Sequence, residues 1–352
     1  MTGGLDFGRL EQALLLRGEP DRVPLAEVTI DQAIKDAFVG RPVRDVESEV
    51  AFWSSAGYDY VPVKIGLHTF DDPRRKRENV VGEEDYQRRE WLDELKGPIS
   101  TLEEFESFPW PEEVGCVDDV TGVSLDEISE YLPPGVKVIG MVAKLFNAVW
   151  ELMGFETFCL ALYDNPELVS RLFERVCSTH LGVFERMSRY ACVGAMWIVD
   201  DIAYGGGLMV SPEALRRYIF PWYRRMGEIC RERGLPFIYH SDGDLRGVLD
   251  DIIGCGFNAL HPIEPPVMDI VRLKEAVGDK LCLMGNIGLD FPLSRGTPHD
   301  VEQEVKERLK QVAPGGGYCV SSSNSVAHWV PLENFNAMRE AVFKYGRYPI
   351  SI

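Results

Sequence analysis

The eight cysteines form no CxxC or CxC pair, which removes the paired-thiolate spacing of metal and redox sites. Scattered among apolar stretches, they read as reduced, buried thiols of a cytoplasmic protein. No glycine-rich GxGxxG or GxxxxGK[ST] follows an apolar run, so the dinucleotide and P-loop readings have no support. No apolar run approaches the roughly 18 residues that a membrane-spanning helix needs. The N-terminal stretch lacks a basic segment ahead of an apolar one, so no signal peptide is expected. Basic residues are scarce, with 37 Lys and Arg against 56 Asp and Glu and a net charge of −19. Nucleic acid and anionic membrane both need a concentrated basic surface, so neither is expected as a partner.

What is present is a strand-then-helix rhythm. Apolar, β-rich runs at 136–143, 194–201, 236–240, 258–264, 280–287 and 316–326 are each followed by a helical pattern. Two more runs, 22–28 and 59–65, precede them, separated by the helical "VRDVESEVAFWSSAG". Asn165-Pro166 and Ser211-Pro212 are helix-start signals; one helix is expected over 146–162 and another from Ser211 to about Arg233. Eight βα units most simply close into a (β/α)8 barrel of one domain spanning 1–352; an open doubly wound sheet is the alternative. The charged, turn-rich stretch at about 66–134 reads as an excursion over one end.

In such a barrel the C-terminal ends of the strands carry the chemistry. Those ends hold Glu27, Lys64, Lys144 and Asn147, then Asp200, Asp201 and Tyr204, then His240 and Asp242. His261 and Glu264, Asn286, and Ser322, Ser323 and Asn324 follow. Each has a plainer reading as a cap, a turn or a satisfied buried group. Two histidines and three carboxylates on the ends of three consecutive strands nonetheless converge on one mouth. They can bind a divalent metal with an open position, or act as general acid and base; the residues alone leave both open. Trp150, Trp197 and Tyr204 are candidate aromatic walls of a substrate pocket.

The ordered motifs "VDDIAYGGGLMVSPEALRRYIFPWYRRM", "FIYHSDGDLRGVLDDIIGCGFNALHPIEPPV" and "GGGYCVSSSNSV" resemble the uroporphyrinogen decarboxylase superfamily, from about residue 130 onward. The resemblance implies a (β/α)8 barrel and two branches of activity. Decarboxylases of the family carry an arginine-bearing loop after the first strand. This chain has "EVTIDQA" there, with Glu27 and Asp31, which argues against a polycarboxylated tetrapyrrole. The other branch moves methyl groups between small molecules and the corrinoid of a partner protein, some members using zinc on an HxC motif and a later Cys. His240 keeps that histidine, while Asp242 and Asn324 stand at the cysteine positions.

The resemblance therefore implies a corrinoid-dependent methyltransferase acting on a small, methoxylated substrate, with a decarboxylase or lyase of a non-porphyrin acid as the alternative. His240, Asp242, Asp200, His261 and Glu264 are the expected catalytic residues. Asp201, Tyr204, Asn286, Asn324, Glu27 and Trp150 are expected to contact substrate, and His240 and Asp242 to hold zinc if a metal is used. A homodimer is implied by analogy alone.

Overall fold

Seven parallel strands carry the fold: β1 (Tyr60–Ile65), β2 (Lys137–Ala143), β3 (Val193–Val199), β4 (Phe237–His240), β5 (Ala259–His261), β6 (Cys282–Ile287) and β7 (Tyr318–Ser322). The computed structural model describes residues 4–65, 76–80, 88–92, 96–111 and 124–352. Strands β4 to β7 are buried along their whole length, as expected of apolar runs covered on both faces. Each strand pairs with the next in sequence, in the order β1 to β7 without reversal. A doubly wound sheet needs a reversal of strand order, so that alternative is excluded.

Helices between the strands begin where the sequence signals them. Asn165 accepts from the Leu168 amide ahead of Pro166–Met187, and Ser211 from Ala214 ahead of Pro212–Tyr218. Thr297 and Asp300 form a reciprocal cap on Pro298–Val312. Two expected helices are broken. Gly154, at φ 81°, separates Phe146–Met153 from Phe155–Asp164. Pro221, which has no amide hydrogen, sits at the start of Phe220–Arg233, just beyond Pro212–Tyr218. Short helices Phe7–Leu14 and Gln32–Val39 were not expected.

The expected first strand is the main correction. Residues 22–28 form no ladder strand; Leu25 makes an isolated parallel bridge to Val320 of β7. Pro24 and Pro62 each remove a donor from facing segments. The amide and carbonyl of Glu27 are taken instead by the Tyr60 hydroxyl of β1, at 2.7 and 2.6 Å. The sheet thus curls until both its edges reach one irregular segment. The expected strands 258–264 and 316–326 are also shorter, because Ile263 (φ 60°) and the turn at 323–325 leave the extended region.

Residues 66–75, 81–87, 93–95 and 112–123 of the 66–134 excursion lie outside the described residues. Its described parts include a hairpin, Lys76–Val80 with Arg88–Leu92, and helices Leu102–Ser107 and Leu125–Tyr131. Among the described residues no helix is long and apolar enough to cross a membrane.

Candidate metal centre at the strand ends

Parallel register brings the two histidines level. Val199 pairs with His240, and His240 with His261, so the last residues of β3, β4 and β5 stand side by side. His240 Nδ1 and His261 Nδ1 lie 2.7 Å apart, and His261 Nε2 lies 2.9 Å from Ser321 Oγ. Trp197 meets the His261 ring edge-on at 5.1 Å. Burial pushes both imidazoles below their ordinary pKa, His261 far below, so both are neutral near pH 7.

The other nitrogen of His240 faces two carboxylates. Nε2 is 3.8 Å from Asp201 Oδ1 and 3.7 Å from Asp242 Oδ1. Asp201 Oδ1 accepts from the Asp242 amide at 2.8 Å, and Asn324 donates to Asp242 Oδ2 at 2.7 Å. Glu264 Oε2 accepts from the Gly243 amide at 2.8 Å, which ties the loop after β5 to the turn after β4. That turn requires glycine. Gly243 has φ 84°, and a Cβ there would sit 2.3 Å from the Tyr204 amide nitrogen.

These residues fit a divalent cation. One ligand atom each from Asp201, His240 and Asp242 lies within 4.8 Å of the others. Asp242 Oδ1 is buried and has no protein partner. Burial, then the charges of Asp201 and Glu264, push the Asp242 carboxyl up to about 8. An orphaned carboxylate oxygen among like charges is what a bound cation would relieve. The donor set is nitrogen and oxygen, without thiolate. Cys319 is fully buried, with its sulfur 3.9 Å from that of Cys282, and is not among the three donors. Asp201 is the donor that sequence reasoning missed, having read it as a substrate contact.

Several expected site residues serve as braces. Asp200 is buried and accepts from the Phe146 and Asn147 amides and the Tyr223 hydroxyl, at 2.6, 3.0 and 2.6 Å. It therefore pins the start of Phe146–Met153 beneath the site. Burial raises its carboxyl to about 7. Asn286 donates to the Ile263 carbonyl at 2.9 Å, bracing the left-handed Ile263 between His261 and Glu264; its own Oδ1 is buried without a protein partner. Trp150 is 8% exposed and packs edge-on against Phe155. Tyr204 is 60% exposed on the hairpin Ala203–Tyr204/Gly207–Leu208. Lys144 pairs with Glu151 at 3.1 Å, and the Lys64 charge helps lower the His240 pKa.

Glu27 does not project from an acidic loop as expected. It is fully buried, its oxygens accepting from the Ser322 amide at 2.7 Å and the Ser322 hydroxyl at 2.6 Å. Burial raises its carboxyl to about 8. A folded-state value above the unfolded one means the folded chain keeps a proton that the unfolded chain loses at about pH 4.3. Its contribution is full below that pH and is lost as pH rises to about 8. Glu27→Gln mimics the protonated form. Its melting temperature is expected to fall less between pH 6 and 9 than that of the unmodified chain; parallel curves would contradict the assignment.

Comparison with known proteins follows the same lines. The sequence model described as uroporphyrinogen decarboxylase (URO-D) matches residues 94–345. A methylcobamide:CoM methyltransferase, MtaA, of Methanosarcina barkeri is 27% identical over 218 residues, 62% of this chain and 61% of that protein. A methylated-thiol–coenzyme M methyltransferase of Methanosarcina mazei is 22% identical over 246 residues, 69% and 63% of the two chains. A uroporphyrinogen decarboxylase of Syntrophotalea carbinolica is 25% identical over 173 residues, 49% and 48%. The chain thus spans about three-fifths of the length of the two methyltransferases. A solved methyltransferase from Methanosarcina mazei superposes with a TM-score of 0.71 at 20% identity, covering 96% of this chain and 98% of that one, which establishes a shared fold.

Proposed function

Because this chain belongs to the uroporphyrinogen decarboxylase (URO-D) family, we propose that it is a corrinoid-dependent methyltransferase of that family, moving a methyl group between a small methyl donor and a corrinoid held by a partner protein. The single observation that carries the reading is the Asp201–His240–Asp242 cluster with its orphaned Asp242 oxygen. The similarity to two methyltransferases supports it. Zinc suits the imidazole of this donor set, and when bound it would supply Lewis acidity to an oxygen of the substrate. With no thiolate among the donors, the site suits an oxygen-bound methyl group, such as that of an aryl methyl ether, better than a thiol.

Breaking a CH3–O bond toward a cobalt nucleophile leaves the bonding electron pair on oxygen, which must take up one proton. Asp201, His240 and Asp242 would hold the cation; Asn324 orients Asp242. Glu264, anchored beside them on the Gly243 amide, is assigned the proton transfer. His261 and Asp200 act through their neighbours as positioning residues, as does Asn286. Tyr204, exposed on its hairpin, is assigned to the substrate or partner side, and Trp150 to the pocket wall. The same proposal includes one domain over 1–352, closure of the sheet as a (β/α)8 barrel by 22–28, a homodimer and a cytoplasmic location.

The test is spectroscopic. Zinc-loaded protein is mixed with cob(I)alamin and, in turn, aryl methyl ethers, methanol, methylamines and methyl thioethers. Protein-dependent formation of methylcobalamin from an oxygen-bound donor is expected. Release of CO2 from a carboxylic acid without any cobalamin, and no methylation from any donor, would establish the decarboxylase instead.

A further inference from the structure

Asp201 is the most exposed of the three donors, with a side chain 43% exposed against 28% for Asp242 and 6% for His240. It also stands past the end of its strand. The backbone ladder from β2 reaches β3 through the Lys144 amide on the Val199 carbonyl, at 3.0 Å. Asp201 lies beyond that bond, and there a side chain takes over. Asn147, buried in the helix Phe146–Met153, turns its carboxamide on the Asp201 backbone. Its Oδ1 accepts from the Asp201 amide at 2.9 Å, and its Nδ2 donates to the Asp201 carbonyl at 3.1 Å. Only one orientation of the carboxamide satisfies both groups.

Asn147 is itself held in place. Its own amide donates to Asp200 Oδ1 at 3.0 Å, and the Phe146 amide donates to Asp200 Oδ2 at 2.6 Å. The two neighbouring aspartates and the helix thus form a closed circuit. The Asp200 carboxylate fixes the helix start, and the helix returns a side chain to the Asp201 backbone. The adjoining groups are taken likewise. The Tyr239 hydroxyl donates to the Asp200 carbonyl at 3.0 Å, and the Ile202 amide donates to Ser241 Oγ at 3.1 Å. All four polar atoms of the peptide groups flanking Asp201 are therefore bound by side chains, two of them by Asn147. A carboxylate on an unfixed loop would pay ordering entropy each time a cation bound, and fixing the backbone beforehand removes that cost.

Resting on the metal reading of the cluster, we infer that Asn147 is a positioning residue that, through its two hydrogen bonds to the Asp201 backbone, holds the Asp201 carboxylate beside His240 and Asp242 and so sets the affinity of the centre for a divalent cation. Groups that orient metal ligands from outside typically contribute about ten- to a hundredfold in affinity. Asn147 differs in grasping the backbone of the donor residue and leaving its carboxylate to the cation. The arrangement gives a purpose to a buried carboxamide that offers no donor atom of its own to the cluster.

The experiment titrates zinc into metal-free protein against a competing chromophoric chelator, with the melting temperature of each variant measured in parallel. Asn147→Ala is expected to lower zinc affinity about ten- to a hundredfold. Asn147→Ser, whose short hydroxyl cannot bridge both Asp201 groups, should behave alike and serves if the alanine variant does not fold. Asp201→Ala should lose at least as much. Adding Asn147→Ala to it should lower affinity no further, because the carboxylate through which Asn147 acts is already gone. Arg9→Ala, destabilised at the far end of the sheet, should bind zinc as the unmodified chain does, which separates positioning from a general loss of stability. Zinc affinity unchanged in both Asn147 variants, a full further loss in the double variant, or an equal loss in Arg9→Ala overturns the inference alone. An unmodified chain that binds no zinc overturns the metal reading and this inference together.

Discussion

Asp242→Asn is expected to slow methyl transfer roughly a hundred- to a thousandfold, the scale of losing one group that stabilises charge at a reacting oxygen, while leaving the fold at least as stable as before. The two halves have one cause. In the folded chain burial, and then the charges of Asp201 and Glu264, push the Asp242 carboxyl up to about 8. Such a group is held against its own preference, as functional groups often are. The amide keeps the shape and removes the charge, so repulsion at the strand ends falls and the cation loses a donor. Stability should rise most above pH 8, where the unmodified side chain ionises. His240→Ala is expected to lose activity to the same degree. It differs in leaving His261 Nδ1 buried without its 2.7 Å partner, so it should also destabilise the fold, by about 1–3 kcal/mol. Activity retained in both variants would remove the cluster from the mechanism.

The largest stability effect is expected at the opposite end of the sheet. Arg9→Ala should cost about 3–5 kcal/mol, as breaking a buried ion pair does when one charge is left behind. Arg9 donates to both oxygens of Asp59 at 2.7 and 2.9 Å, to Asp21 at 2.5 and 3.0 Å, and to the Gly4 carbonyl at 3.2 Å. Asp59 directly precedes β1 and is 1% exposed. Burial raises its carboxyl, and Arg22 and Arg9 pull it back. Without Arg9 it keeps the Asp6 amide at 2.9 Å and Arg22 at 3.7 Å. Asp21 has a side chain 61% exposed, so Asp21→Asn should cost at most about 1 kcal/mol. Chemical denaturation of both variants checks the contrast, and equal losses would contradict it. Methyl transfer by surviving folded Arg9→Ala should be unchanged, since the N-terminal end of the sheet serves stability.

The alternation of strand and helix was legible because it is local. Two-sided apolar runs, the helix starts at Asn165 and Ser211, and the pair His240 and Asp242 all lie within a few residues of the signals that mark them. The roles of Asp200 and Asp201 were not legible. Consecutive side chains leave a strand on opposite sides, and only the register of β3 with β4 decides which faces His240. One caps the helix beneath the site, and the other completes the three donors. Glu27 was misplaced for a related reason. Its carboxyl is satisfied by Ser322, 295 positions away, and no local pattern marks that pairing. Ser321 looked like one serine in a run of three, although it alone reaches His261.

The most direct measurement is the divalent-metal content of the chain purified without chelator, with Asp242→Asn prepared in parallel. The account predicts close to one zinc per unmodified chain and far less in the variant, at equal folded fraction. Metal equally abundant in both, or absent from the unmodified chain even after zinc is supplied, would contradict it.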